Sequence, residues 1–450
     1  MRNGIVVVVE GVSTGLVGAY GSNTAVTPAL DRLAAHGLVL DQCFVDSLHL
    51  RKQLQSLWTG RHAAQEPNLD WSMWRQLVAS GFEACLITDC EVTAKFAEQL
   101  GCPRVTLVKV DEPTEPAEDW TECGLMQVFV SAVEELSETE SNRVIWIHSR
   151  GLRWPWDAPV DLRERFIDPE DPLPPSEACV PDIVITDQTD PDEIIGWGQV
   201  AAAQVAVIDQ AIDILISTIE SRADASDWAW MVVSPGGVPL GEHGRVGWGQ
   251  PSLHGEELSC LAIVQPAIGN ASGPDEAKVA PGRSDPPTQI APSKSDPPSQ
   301  VAPDATSGAR PPGSRRAELC QLPDLLITFL DSLELDVSSL NCACWGRSML
   351  RLGSFSAPYA WPAQFQAAFV EHSNDQWLRT PAWSARFFES QASELYVKPD
   401  DRWEICDVAS RRLDVVERLR EIAQQFQDCL RNGSRVHLPK LEDELCNLLR

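Results

Sequence analysis

Basic residues are scarce in this chain. Lys and Arg number 36 against 65 Asp and Glu, a formal charge of −29. A field of that sign repels polyanions at long range and argues against nucleic acid and anionic membrane surfaces as partners. Long apolar runs are lacking too, since no stretch approaches the roughly 18 apolar residues of a membrane span. The amino-terminal run at 5–9 is too short for a secretory signal and meets Glu10 and Gly11 without a small-residue cleavage site. The 13 cysteines show no repeating spacing. Without an export signal they are expected to be reduced and mostly buried. Cys342 and Cys344 share a loop with no two further ligands, which reads as an incidental pair rather than a zinc cage. The expectation is a soluble, acidic, cytoplasmic protein.

With 450 residues, 43% of them hydrophobic, the chain can bury a large core. Its first half alternates strand-like and helix-like runs. Residues 5–9 are a continuous β-branched run, as in a parallel strand buried on both faces. Thr27, Pro28 and Gly37 read as N-cap, first helical residue and C-terminal stop. Further helices are expected at 74–80, 121–136 and 201–220, and strands at 84–88, 143–148 and 228–234. That alternation predicts a mostly parallel sheet covered by helices on both faces, with ligands beyond the carboxyl ends of the strands. Residues 157–192 read as a long loop. Residues 274–312 hold ten of the 33 prolines, no aromatic residue and an imperfect 11-residue tandem, so an extended insertion is expected at about 270–315. A helix at 322–333 follows, then strands at 385–389 and 394–397 and a final helix at 411–430. The division predicted is an α/β domain over 1–350 and a small α+β subdomain over 351–450.

Several segments, in order, resemble sulfatases of the alkaline phosphatase superfamily. Ala19-Tyr20-Gly21 and the run from Thr27 to Ala34 are similar to the family's cysteine-tyrosine-glycine and TPNLDRLA stretch. Ser56-Leu57-Trp58-Thr59-Gly60-Arg61 resembles SLLTGR, and residues 205–212 resemble VAYVDEQI. Leu240-Gly241-Glu242-His243-Gly244 matches the LGEHG turn, and residues 322–328, 346–350 and 394–396 resemble later family segments. The resemblance implies the sulfatase fold over nearly the whole chain.

The chemistry that the resemblance implies is largely missing. The family's formylglycine precursor, a Cys or Ser, falls on Leu50, which carries no nucleophilic heteroatom. The nearest candidates are Ser47 and His49, and Ser47 reads as an ordinary loop serine. The family's calcium or magnesium ligands fall on Glu10-Gly11 and on Ser234-Pro235-Gly236-Gly237. Of that cluster only the Glu10 carboxylate survives, too little for an ion that wants six or more oxygens. Glu10 is expected to be solvated or paired with Arg51 or Lys52. The sulfate-gripping cations fall on Asp89 and Glu91, which reverse the local sign, on Arg153 in place of a histidine, and on Trp248 in place of a lysine. Glu242 and His243 remain, with a structural role expected for both and for Arg61. His148 reads as a satisfied polar group. Arg51, Lys52 and Arg153 are candidates for a small basic patch. The 16 tryptophans are expected mainly as core filling.

The resulting expectation is a sulfatase-like pseudoenzyme that binds a protein or small-molecule ligand, with no catalytic residues and no cofactor. The first alternative is a hydrolase of sulfate or phosphate esters with a rebuilt calcium or magnesium site around Glu10, Asp89, Glu91 or His148. The second is a structural subunit paired with an active sulfatase.

Overall fold

A computed structural model describes residues 2–137, 142–267, 313–336, 344–350, 367–433 and 438–447. Eight strands make the main sheet: β1 (Asn3–Val9), β2 (Leu38–Leu40), β3 (Glu83–Thr88), β4 (Val105–Leu107), β5 (Arg143–Ser149), β6 (Trp228–Ser234), β7 (Leu261–Gln265) and β8 (Ser314–Arg316). Their spatial order is β8-β2-β7-β6-β1-β5-β3-β4. Only β7 runs antiparallel to its neighbours β2 and β6, so the sheet is mixed but mostly parallel. β1 lies at its centre, hydrogen-bonded to β5 and β6, and every residue of it is buried.

Alternation along β1 sends side chains to two separate cores. Ile5, Val7 and Val9 face the helices Pro28–His36, Gly124–Leu136 and Pro191–Glu220. Val6 and Val8 face Leu50–Thr59, Met73–Ala79, Glu91–Gln99 and Leu322–Ser332. Both faces are therefore covered, as the alternating pattern predicted. The helix at Pro28 starts where its proline predicts, but the side chain of Thr27 does not cap it. Asp209, from the long helix, does so instead, accepting from the amides of Ala29 (3.0 Å) and Leu30 (2.9 Å).

The long helix begins at Pro191, ten residues before its predicted start and inside the end of the predicted loop. It is long and apolar enough to cross a membrane by length and composition, contrary to the sequence reading. However, 78% of its most apolar window is buried inside the protein, as in a core helix. The predicted insertion at about 270–315 lies largely outside the described residues. Its last part is corrected, because Ser314–Arg316 is a strand paired in parallel with β2.

The strands β9 (Ala368–His372), β10 (Asp375–Arg379), β11 (Trp383–Phe387) and β12 (Glu394–Val397) form an antiparallel meander. The helix Leu413–Arg431 packs on it through Val415, Leu419, Ala423, Phe426 and Leu430, a spacing of three to four residues that defines one apolar face. This is the expected small α+β subdomain. The predicted division at residue 350 falls beside residues 351–366, which lie outside the described residues.

Candidate functional site

The carboxyl ends of β1, β5 and β6 converge, and the first charged group there is Glu10, 1% exposed. Its backbone is pinned on both sides, by Glu10 N to Ser149 O (3.1 Å) and Leu152 N to Glu10 O (2.8 Å). A carboxylate removed from water needs a compensating charge. Here Arg153 supplies it, with Nε 2.9 Å from Oε2 as an ion pair, while His148 Nε2 lies 2.9 Å from Oε1. The expected pairing of Glu10 with Arg51 or Lys52 is thus corrected. Arg51 instead stacks on Phe96 and donates to Gln99, so no basic patch joins it to Arg153.

The family's calcium or magnesium does not fit these residues. The positions expected to supply further oxygen ligands carry Gly11, Pro235 and Gly236, and the space beside them is taken. The ring of Trp248 lies where a Cβ on Gly11 (φ +86°) would come within 2.9 Å of it. A Cβ on Gly236 (φ +77°) would stand 2.5 Å from the carbonyl of Glu257. Trp248 itself is fixed by a 2.8 Å bond from Nε1 to Leu152 O, and Arg153 lies over its ring at 3.9 Å from the centroid. An aromatic plug and a guanidinium therefore occupy the surroundings of the one carboxylate that remains.

The other predicted positions disperse. Leu50 opens the helix Leu50–Thr59 and packs against the core. Ser47 is buried, its hydroxyl accepting from the amide of His49 (3.1 Å), and His49 stacks on His372. Asp46 beside it is fully buried and bonded to Ser56 Oγ (2.5 Å) and Ala63 N (2.8 Å); burial pushes its carboxyl up to about 7 despite those bonds. Asp89 turns to Arg150, accepting from its amide (2.9 Å) and lying 3.3 Å from its Nε, and burial raises its pKa. Glu91 is on the surface, paired with Lys95. Of the four groups considered for a rebuilt metal site, only Glu10 and His148 meet. Arg61 is half-buried, its Nε donating to Glu66 O (3.1 Å).

A second constellation forms at the turn Glu242–Gly244. Glu242 Oε2 accepts from Leu240 N (2.6 Å) within the turn. His243, with φ +49° in the left-handed region, directs Nδ1 to Glu256 Oε1 (2.8 Å) and Nε2 to the carbonyl of Glu404 (3.2 Å). His254 stacks on His243 with ring centroids 3.3 Å apart, and its Nδ1 lies 3.5 Å from Glu404 Oε2. Among the described residues, His243, His254 and Glu256 each bring one nitrogen or oxygen within 4.8 Å of the others, with the two rings lying parallel.

Burial lowers the basicity of both histidines. In His243 the facing Glu256 and Glu404 outweigh it and the pKa rises, whereas in His254 burial prevails. Burial alone would raise the carboxyl of Glu404, but His254, Lys398 and Ser384 bring it down to about 2. His254, Glu256 and Glu404 were not predicted. The first two stand 11 and 13 residues beyond His243, a spacing with no metal-site signature, and Glu404 comes from the subdomain some 160 residues on.

Residues 2–257 match the sulfatase family. No curated protein matches the chain in sequence. Among solved structures, a phosphonate monoester hydrolase of Agrobacterium radiobacter superposes with a TM-score of 0.65 at 11% identity, covering 95% of each chain. A 2-O GAG sulfatase superposes with a TM-score of 0.63 at 13% identity, over 95% of this chain and 92% of that one. A further structure, solved in complex with its substrate D-glucosamine-2-N,6-O-disulfate, gives 0.62 at 14% identity, over 95% and 98%. At these identities the likeness concerns the fold.

Proposed function

The chain belongs to the sulfatase family, and on that premise we propose that it is a pseudoenzyme, a sulfatase scaffold that binds a protein or small molecule without cleaving sulfate esters. The observation that carries this reading is the ion pair of Glu10 with Arg153 beneath the ring of Trp248. In this arrangement the chain's own guanidinium neutralises the strand-end carboxylate, and two glycines and a proline stand where more ligands are needed. A metal would have to displace a paired cation from a site with one carboxylate, whereas a hard divalent ion binds through several oxygens. Leu50 at the nucleophile position points the same way, because no side chain there can form a covalent intermediate.

The competing reading, an ester hydrolase with a rebuilt metal centre, would draw on the nitrogen and oxygen atoms gathered at His243, His254 and Glu256. Its chemistry would lie at the turn rather than at Glu10. The neighbours in fold are named for sulfate and phosphonate esters, which sets the substrates to try. Purified full-length protein is assayed with an aryl sulfate, an aryl phosphate and an aryl phosphonate, with calcium, magnesium, manganese and zinc in turn. The pseudoenzyme reading expects no turnover above background. Turnover lost in Glu10→Ala would overthrow it in favour of the strand-end pocket, and turnover lost in Glu256→Gln in favour of the turn.

A further inference from the structure

A cleft of about 600 Å³ opens where the Glu242–Gly244 turn meets the C-terminal subdomain, a volume within the range of small-molecule sites. Its subdomain wall comes from β11, β12 and the loop that follows them. That loop is pinned. Asp401 accepts from the amides of Ile405 (3.0 Å) and Cys406 (2.9 Å), and Lys398 Nζ donates to the carbonyls of Asp401 (2.7 Å) and Arg402 (3.1 Å). Glu404, buried within the loop, accepts from Ser384 Oγ (2.7 Å) and pairs with Lys398 Nζ (3.3 Å). The residues on either side of it turn outward, Trp403 at 51% exposure and Ile405 at 76%, and both line the cleft. A loop that holds an indole and an aliphatic side chain in water offers contact area ordered in advance.

The polar groups of the cleft select the charge of what enters. Arg386, 3% exposed, spends two of its nitrogens on Ser252 O (2.6 Å), the Tyr396 hydroxyl (3.2 Å) and Glu394. Glu242 and Glu394 are half-buried, and each keeps one carboxylate oxygen without a hydrogen bond among the described residues. Oε2 of Glu242 accepts from Leu240 N (2.6 Å), and Oε2 of Glu394 accepts from Arg386 and Tyr396. Burial pushes the Tyr396 phenol up to about 12, and the carboxylates of Glu404, Asp407 and Asp401 add to that against Arg386. The field at the cleft is therefore negative, and a sulfate ester would enter against it. The ring of Trp403 already takes a guanidinium on one face, that of Arg402, 4.9 Å from the centroid.

We propose that this cleft binds an organic cation, an ammonium or guanidinium group carried on an apolar stem. Glu242 and Glu394 answer its charge, and Trp403 and Ile405 take its stem. Carboxylates recognise such ions by charge-assisted hydrogen bonds, and an aromatic face recognises them through its quadrupole. The cleft is separate from the strand-end pocket of Glu10, so turnover in the ester assay would leave this proposal standing.

The test is calorimetric titration of the full chain with agmatine, which carries a guanidinium and an ammonium on an alkyl stem. An end-blocked di-arginine peptide and the neutral butanediol are titrated beside it. Saturable binding of agmatine or the peptide is expected, weakening as salt is added, with none of the diol. The tighter of the two cations tells a free small molecule from a protein side chain as the source. Trp403→Ala and Glu394→Gln should each weaken binding about 10-fold. Trp403 is half exposed, so its loss spares the fold. Glu394→Gln leaves Arg386 short of a partner, and if that variant melts early, Trp403→Ala and Ile405→Ser decide. No saturable binding of either cation would overturn the proposal. So would binding that Trp403→Ala leaves unchanged, or binding of the diol as tight as that of agmatine.

Discussion

The pocket beyond β1, β5 and β6 and the cluster at His243 are built from adjoining loops, yet they hold their charges in opposite ways. In the pocket the one buried carboxylate meets an arginine from the next loop, and glycines and a tryptophan fill the rest. At the turn His243 directs Nδ1 to the Glu256 carboxylate, two rings stack, and residues with left-handed backbone collect around them. A loop here supplies an internal counter-charge and an aromatic ring to a buried strand-end carboxylate. At the turn the counter-charge comes with a proton: burial lowers the basicity of His243, but Glu256 and Glu404 outweigh it and raise its pKa. Charge balance, more than the number of acids present, separates the two.

The sharpest way to break this comparison is to remove the counter-charge. Arg153→Ala leaves Glu10 buried beside His148 alone, and the expected cost is about 3 kcal/mol or more in denaturant unfolding. Glu10→Gln should cost only about 1 kcal/mol, because Arg153 is 27% exposed and can turn to water. Equal costs would show that the pair does not organise the pocket.

Asp46 gives an effect nearly as large. Its carboxyl is raised to about 7 in the folded protein from an ordinary value of 3.8. The folded state therefore binds the proton more tightly, and the Asp46 contribution is fully present below about pH 4 and lost as pH rises through 7. Asp46→Asn should remove that slope, gaining on the order of 3 kcal/mol relative to the parent between pH 4 and pH 8. Parallel stability–pH curves for parent and variant would contradict it.

Gly11→Asp, which restores a carboxylate, forces a left-handed backbone and a clash with Trp248, and should cost about 2 kcal/mol or more. In a Trp248→Ala background the clash disappears, so the two changes should be non-additive by about 1 kcal/mol. Simple addition of the two costs would mean that Trp248 is not the plug. The smallest effect is expected at the turn, where His243→Gly trades lost contacts for relieved strain and should stay within about 1 kcal/mol. A larger loss would make the turn a structural clasp.

Sheet and helices were legible in the chain because they rest on local patterns. The run at 5–9, Pro28 before its helix and the order of short segments each carry their own signal. The departures from the family's segments at Leu50, Gly11 and Gly236 were legible for the same reason, since each lies next to a matching segment. The pairing of Glu10 with Arg153 was not, since it depends on how the 150–156 loop folds back over β1. Nor was the cap from Asp209, supplied by a helix some 180 residues away from the one it starts. The His243 cluster was least legible, because Glu404 reaches it from another subdomain and no spacing rule connects the two.

Calorimetric titration of the stripped full chain with calcium and magnesium, beside Glu10→Gln, tests the central claim most directly. The account predicts no saturable binding that depends on Glu10, since Arg153 already holds that carboxylate. Saturable binding of either ion that Glu10→Gln abolishes would contradict it and restore a metal to the strand-end pocket.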